Sequence, residues 1–122
     1  MTQKTGMARW VAAASNSWAG LCAAWKDEAA FRQECVALAI GVPGAWWLCA
    51  GNAWVFVTLL SSILLIMIVE LLNSSIEAAI DRIGPEHHPL SGKAKDVASA
   101  AVLVACIVAS SVWLTAVWTR FH

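Results

Sequence analysis

Residues 54–81 read WVFVTLLSSILLIMIVELLNSSIEAAID, and the change of character at Glu70 within them decides the fold. Up to Val69 the stretch is uncharged and aliphatic, as a membrane-spanning helix must be. From Glu70 onward, polar residues return at Asn73, Glu77 and Asp81, the spacing i, i+3, i+7, i+11. At about 100° per residue these four fall within about 80° of arc, giving one polar stripe on an otherwise apolar helix. An acid inside a span costs several kcal/mol unless it is paired or reaches a watery cavity, which makes the stripe a candidate functional site. An interhelical hydrogen-bond zipper is the structural alternative.

Outward from this helix, charge is absent from residues 35–69 and again from 97–119. The first window is too long for one crossing, since about 20 apolar residues at about 1.5 Å each cover a hydrocarbon core of about 30 Å. Gly51-Asn52 is a turn pair inside it. The chain therefore reads as an all-α, polytopic membrane protein with three transmembrane helices, at about 30–49, 54–81 and 97–118. Pro43-Gly44 is expected to kink the first. Two prolines (Pro85, Pro89) and two glycines (Gly84, Gly92) mark 82–96 as a polar loop. Within 7–27, Trp10, Ala14, Trp18, Leu21 and Trp25 share one side while Arg9, Asn16 and Asp27 share another. That pattern predicts an amphipathic helix lying in the membrane interface. All 122 residues form one membrane domain without internal repeats.

Composition agrees. The chain is 60% hydrophobic and 13% charged, against about 45–50% and about 25% in soluble domains. Its mean hydropathy is +0.68, which excludes disorder, and its zero net charge gives no basis for nucleic-acid binding. No cleavable signal is expected, because the apolar run 10–14 is too short. Cys22, Cys35, Cys49 and Cys106 lack a CxxC spacing and read as small core hydrophobes. Lys4, Arg9, Lys26, Arg32, Arg82, Lys93 and Lys95 fall on one side of the three spans and only Arg120 on the other. By the positive-inside rule the N-terminus and the 82–96 loop are cytoplasmic.

If Trp54 anchors at the outer interface, Glu70 lies about 24 Å inward, about 6 Å short of the inner edge of the core. Glu77 lies about 10 Å further, at the cytoplasmic headgroups. The stripe thus joins acyl-chain depth to the cytosol and suits a reaction between a membrane-dissolved and a water-soluble substrate. Glu28 and Glu34 flank the entry to the first span and Lys95-Asp96 closes the loop, all on the same inner face. Carboxylates beside lysines suggest Mg²⁺ and polyphosphate. Ser91-Gly92-Lys93 is no P-loop, since Ala94 follows where Ser or Thr is required. His87-His88 reads as a solvated pair.

The motifs resemble those of the prokaryotic diacylglycerol kinase family. The run ELLNSSIEAAID (70–81) fits its signature ExxNSxxExxxD, with support from EAAFRQE (28–34) and HPLSGKAKD (88–96). The resemblance covers nearly the whole chain. It implies a homotrimer in the bacterial inner membrane that phosphorylates diacylglycerol with ATP to give phosphatidate, for phospholipid metabolism and lipid recycling, at sites shared between protomers. It further implies Glu70 as general base, with Glu28 and Glu77 holding Mg²⁺ on the ATP phosphates. Lys95 would contact the phosphates, with Asp96 and Asn73 nearby. Arg9, Asn16, Glu86 and His88 would line the nucleotide site. Arg9, Arg32, Gln33, Glu34, Ser99 and Trp113 would border the lipid substrate. Asn16 departs from an aromatic often found beside the nucleotide, Cys22 from an Arg and His87 from a Tyr. At most these alter nucleotide affinity.

Other readings of the same residues are a polyprenol kinase on the same scaffold, a small proton-coupled transporter with Glu70 as its proton site, and a structural membrane subunit.

Overall fold

The computed structural model describes residues 5–122. Lys4, one of the cations counted for orientation, lies outside them. Four helices and no strand are present among the described residues: α1 (Met7–Asp27), α2 (Ala29–Leu48), α3 (Ala53–Ile83) and α4 (Pro89–Phe121). The all-α expectation holds.

Each junction has a local cause. Between α1 and α2 only Glu28 is extended (φ −114°, ψ 108°). Across this break Arg32 Nη1 donates to the carbonyls of Trp25 (2.7 Å) and Lys26 (3.1 Å), closing the last turn of α1 with a positive charge where the helix dipole favours one. The turn between α2 and α3 uses Ala50 (φ 48°) and Gly51 (φ 84°), the latter in the left-handed region that glycine enters without strain. Asn52 Oδ1 then accepts from the backbone N–H groups of Trp54 (3.0 Å) and Val55 (3.4 Å) as an N-cap.

The expected loop over 82–96 is corrected. Only 84–88 are non-helical; residues 82 and 83 complete α3, and α4 already begins at Pro89. Pro89 occupies the first helical position, where a missing N–H costs nothing, and His88 Nδ1 caps the helix by accepting from Leu90 N–H at 3.1 Å. Proline and Gly92 here mark a helix start, so Lys95 and Asp96 sit on a rigid element.

Both connections are short, so α3 runs antiparallel to α2 and to α4. The packed faces follow a heptad-like alternation of three- and four-residue steps. On α2 the seam is Phe31, Glu34, Leu38, Gly41, Ala45 and Leu48; on α4 it is Ala98, Val102, Ala105, Ala109, Val112 and Ala116, and all are buried or half-buried. The small residues let backbones approach closely. A Cβ added at Gly41 would lie 2.6 Å from Ile63 Cδ1 and 3.6 Å from the Trp113 ring.

On α3 the seam runs Leu59, Ile63, Ile66, Glu70, Asn73, Glu77 and Ile80. It is apolar toward the Gly51 turn, where Ala45, Leu48, Leu59 and Ala116 form a core flanked by Phe56 and Trp113. It is polar toward the other end. Trp113 Nε1 donates to Ser62 Oγ (3.0 Å), which in turn donates to the Leu59 carbonyl (2.6 Å), tying α4 to α3 within the apolar half of the seam.

Two helices, α3 and α4, are long and apolar enough to cross a membrane. At 31 residues α3 is about 46 Å long, well beyond a core of about 30 Å. The first turns of α2 carry Arg32, Gln33 and Glu34, which lower its apolar content. Large apolar side chains such as Ile40, Ile68, Leu103, Ile107 and Leu114 face outward.

Candidate functional site

The polar half of the α3 seam meets the opening turns of α2. Gly41 touches Ile63; seven residues back along α2 and seven onward along antiparallel α3 bring Glu34 opposite Glu70. The two carboxylates are close enough to interact through their charges, and Glu28 and Glu77 also act on Glu70. Glu70 is 6% exposed, although most of this chain's surface is open. Asn73 Nδ2 donates to Glu77 Oε1 at 3.5 Å, one turn along the same face. Glu34 Oε2 and Asn73 Oδ1 are shielded from water and lack hydrogen-bond partners.

Positive charge near these acids is engaged elsewhere. The one ion pair among the described residues joins Lys95 Nζ to Asp81 Oδ1 at 3.4 Å, and Arg32 Nη1 is held by the α1 carbonyls. Glu28, Glu34, Glu70 and Glu77 therefore form a carboxylate cluster without a basic partner, an arrangement that calls for a cation or protons. Among the described residues no three His, Cys, Asp or Glu side chains are grouped closely enough to hold a metal unaided. Oxygen donors from one or two carboxylates, completed by substrate phosphates, are what Mg²⁺ commonly takes. Glu28 and Glu77 fit that chemistry.

Beside the cluster, a groove of about 540 Å³ separates α1 from α3. Ser17, Gly20, Ala24, Asp27 and Glu28 line one wall, and Leu71, Ser74, Ser75 and Ala78 the other. Its serines and Asp27 are not among the site residues the sequence points to. The signal was the run of small residues at 20, 23 and 24, which leaves room opposite Ala78.

The remaining candidates are spread more widely. Gln33, Asp96 and Ser99 are exposed near the polar end, Glu86 is exposed in the 84–88 turn, and His88 caps α4. Arg9 and Asn16 are exposed on α1; Arg9 stands about 28 Å along that helix from Glu28. Trp113 packs at the Ser62 level, about 12 Å along α3 from Glu70. A single chain thus brings together Glu28, Glu34, Glu70, Asn73 and Glu77 but leaves Arg9 and Trp113 apart from them.

The family model described as prokaryotic diacylglycerol kinase matches residues 15–117. The sequence is 56% identical over 117 residues to a protein named diacylglycerol kinase from Escherichia coli (strain K12), covering 96% of this chain and 95% of the relative. Similar proteins of the same name come from Haemophilus influenzae (41% identical; 93% of this chain and 95% of the relative) and Pseudomonas aeruginosa (43%; 92% and 90%).

Proposed function

Because the chain belongs to the prokaryotic diacylglycerol kinase family, we propose that it moves the γ-phosphoryl group of ATP onto the free hydroxyl of diacylglycerol. The products are phosphatidate and ADP, and phosphatidate returns lipid to phospholipid metabolism. The kinase activity on diacylglycerol follows from the family.

The observation that carries the reading is Glu70, 6% exposed in a helix seam with three other carboxylates around it. Glu70 accepts the proton of the lipid hydroxyl as that oxygen attacks the γ-phosphorus and the bond to ADP breaks. Glu34 faces it from α2 and, with Ser99 and Gln33, borders the glycerol end of the lipid. Glu28 and Glu77 hold Mg²⁺, which when bound neutralises charge on the phosphates. Asn73, bonded to Glu77, orients that carboxylate. Lys95 supplies a further positive charge to the phosphates, with Asp96, Glu86, His88, Asn16 and Arg9 toward the nucleotide. Little covalent chemistry is asked of the protein; positioning and charge neutralisation do the work.

The seam's two ends support the topology of three spans with α1 in the interface. The apolar end, ringed by Trp46, Trp47, Trp54 and Trp118, sits at the outer leaflet of the inner membrane. The polar end opens to the cytoplasm beside the N-terminus. A homotrimer accounts for the isolation of Arg9 and Trp113, which meet the cluster of a neighbouring protomer rather than their own.

The test is ATP-dependent phosphorylation in mixed micelles across diacylglycerol, a polyprenol and simpler lipid alcohols. Labelled phosphatidate as the main product, lost in Glu70→Gln, supports the reading. Preference for the polyprenol would reassign the substrate, and no ATP consumption with any alcohol would overturn the kinase mechanism.

A further inference from the structure

Asp81 is the one member of the polar stripe without a role in the reaction above, and it makes the one ion pair among the described residues. Two elements position the pair. Asp81 lies one turn beyond Glu77 on the same face of α3, about 6 Å further along the axis. Lys95 rises from the second turn of α4, which Pro89 and His88 start sharply at its cytoplasmic end. The contact, Lys95 Nζ to Asp81 Oδ1 at 3.4 Å, bridges the two helices. Lys93, two residues earlier on α4, makes no such contact.

We propose that Asp81 is a positioning residue that holds the Lys95 ammonium beside Glu77 before the nucleotide arrives. The proposal rests on Lys95 acting on the ATP phosphates, as argued above. A lysine carries a compact charge on a flexible four-carbon stem, and restraining the stem in advance lowers the entropy lost when phosphate binds. Both side chains are largely exposed (46% and 72%), so the tether is weak. A polyphosphate of higher charge draws the ammonium off without a large penalty. Asp81 thus keeps Lys95 within reach without trapping it.

The sign of the effect separates this role from simple electrostatics. Asp81 is a negative charge near the site of an anionic substrate, so its neutralisation alone would tighten Mg–ATP binding. As a positioning residue, its loss weakens use of Mg–ATP instead.

The experiment is a double-mutant cycle on the full chain in detergent micelles, Asp81→Asn with Lys95→Met. It is read as kcat/KM for ATP and for diacylglycerol, and as equilibrium binding of Mg–ATP, which needs no turnover. Asp81→Asn should lower kcat/KM for ATP about three- to fivefold with the KM for diacylglycerol unchanged. Asp81→Glu should restore it, and Lys93→Met should be silent. In the Lys95→Met background Asp81→Asn should change Mg–ATP affinity no further. Tighter ATP use in Asp81→Asn, or an equal effect of Asp81→Asn in both backgrounds, would overturn the proposal while leaving the kinase reading intact. Absence of ATP-dependent product from the unaltered chain would overturn both.

Discussion

Glu34 of α2 and Glu70 of α3 face one another across the helix seam, seven residues along each helix from the contact of Gly41 with Ile63. At the same seam positions nearer the Gly51 turn the facing residues are apolar. Stability alone favours continuing that pattern, since well-packed apolar residues usually outperform buried charge. Acid facing acid is the feature of the seam that packing does not explain.

Glu70→Gln should therefore abolish turnover and spare the fold. An amide fills the volume of the carboxylate and adds a donor suited to Glu34, but cannot take a proton from a lipid hydroxyl. A drop of about a hundredfold to ten-thousandfold in kcat is expected, with helical content unchanged by circular dichroism. Activity within tenfold of the unaltered chain would remove Glu70 from the role of base.

Glu77 is predicted to report on magnesium rather than on the proton. Its carboxylate is oriented by Asn73 at 3.5 Å, and the cluster around it has no basic partner. Glu77→Gln should raise the Mg²⁺ concentration for half-maximal activity by an order of magnitude or more, and excess chelator should stop turnover in the unaltered chain without unfolding it. Undiminished phosphatidate formation in chelator would contradict the assignment.

The class of the fold and the acids of the site were legible because both are one-helix properties. Charge-free windows mark apolar helices, and i, i+3, i+7 spacing places Glu70, Asn73 and Glu77 on one face within a single chain segment. What depends on two helices was not legible. The facing of Glu34 and Glu70 is set by where Gly41 meets Ile63, and the Lys95–Asp81 pair by the start of α4. The expected loop over 82–96 exceeds the observed 84–88 turn because Pro89 and Gly92 resemble breakers in composition, whereas proline at a first helical position begins a helix. Glycine inside one costs only about 1 kcal/mol.

Gly41 should matter to packing in a way that Gly44 does not. A methyl at Gly41 would stand 2.6 Å from Ile63 Cδ1, whereas one at Gly44 would meet the Trp113 ring at an ordinary 3.7 Å. Gly41→Ala should destabilise by about 1–3 kcal/mol, and Ile63→Val, which removes the offending methyl, should recover part of the loss. Gly44→Ala should be near neutral. Equal Tm values for the two alanine variants in the same detergent would refute the close approach.

Trp113 and Ser62 should respond unequally to the loss of their shared hydrogen bond. Trp113→Phe removes the Nε1 donor and leaves Ser62 still donating to the Leu59 carbonyl at 2.6 Å, so no polar group is orphaned and the cost is about 1 kcal/mol. Ser62→Ala strands a half-buried indole N–H between helices and should cost about 1–3 kcal/mol. In the double variant the Ser62→Ala penalty should shrink, because the stranded donor is gone. Tm values of the three variants in one detergent check this, and an undiminished Ser62→Ala loss in the Trp113→Phe background would refute the shared bond.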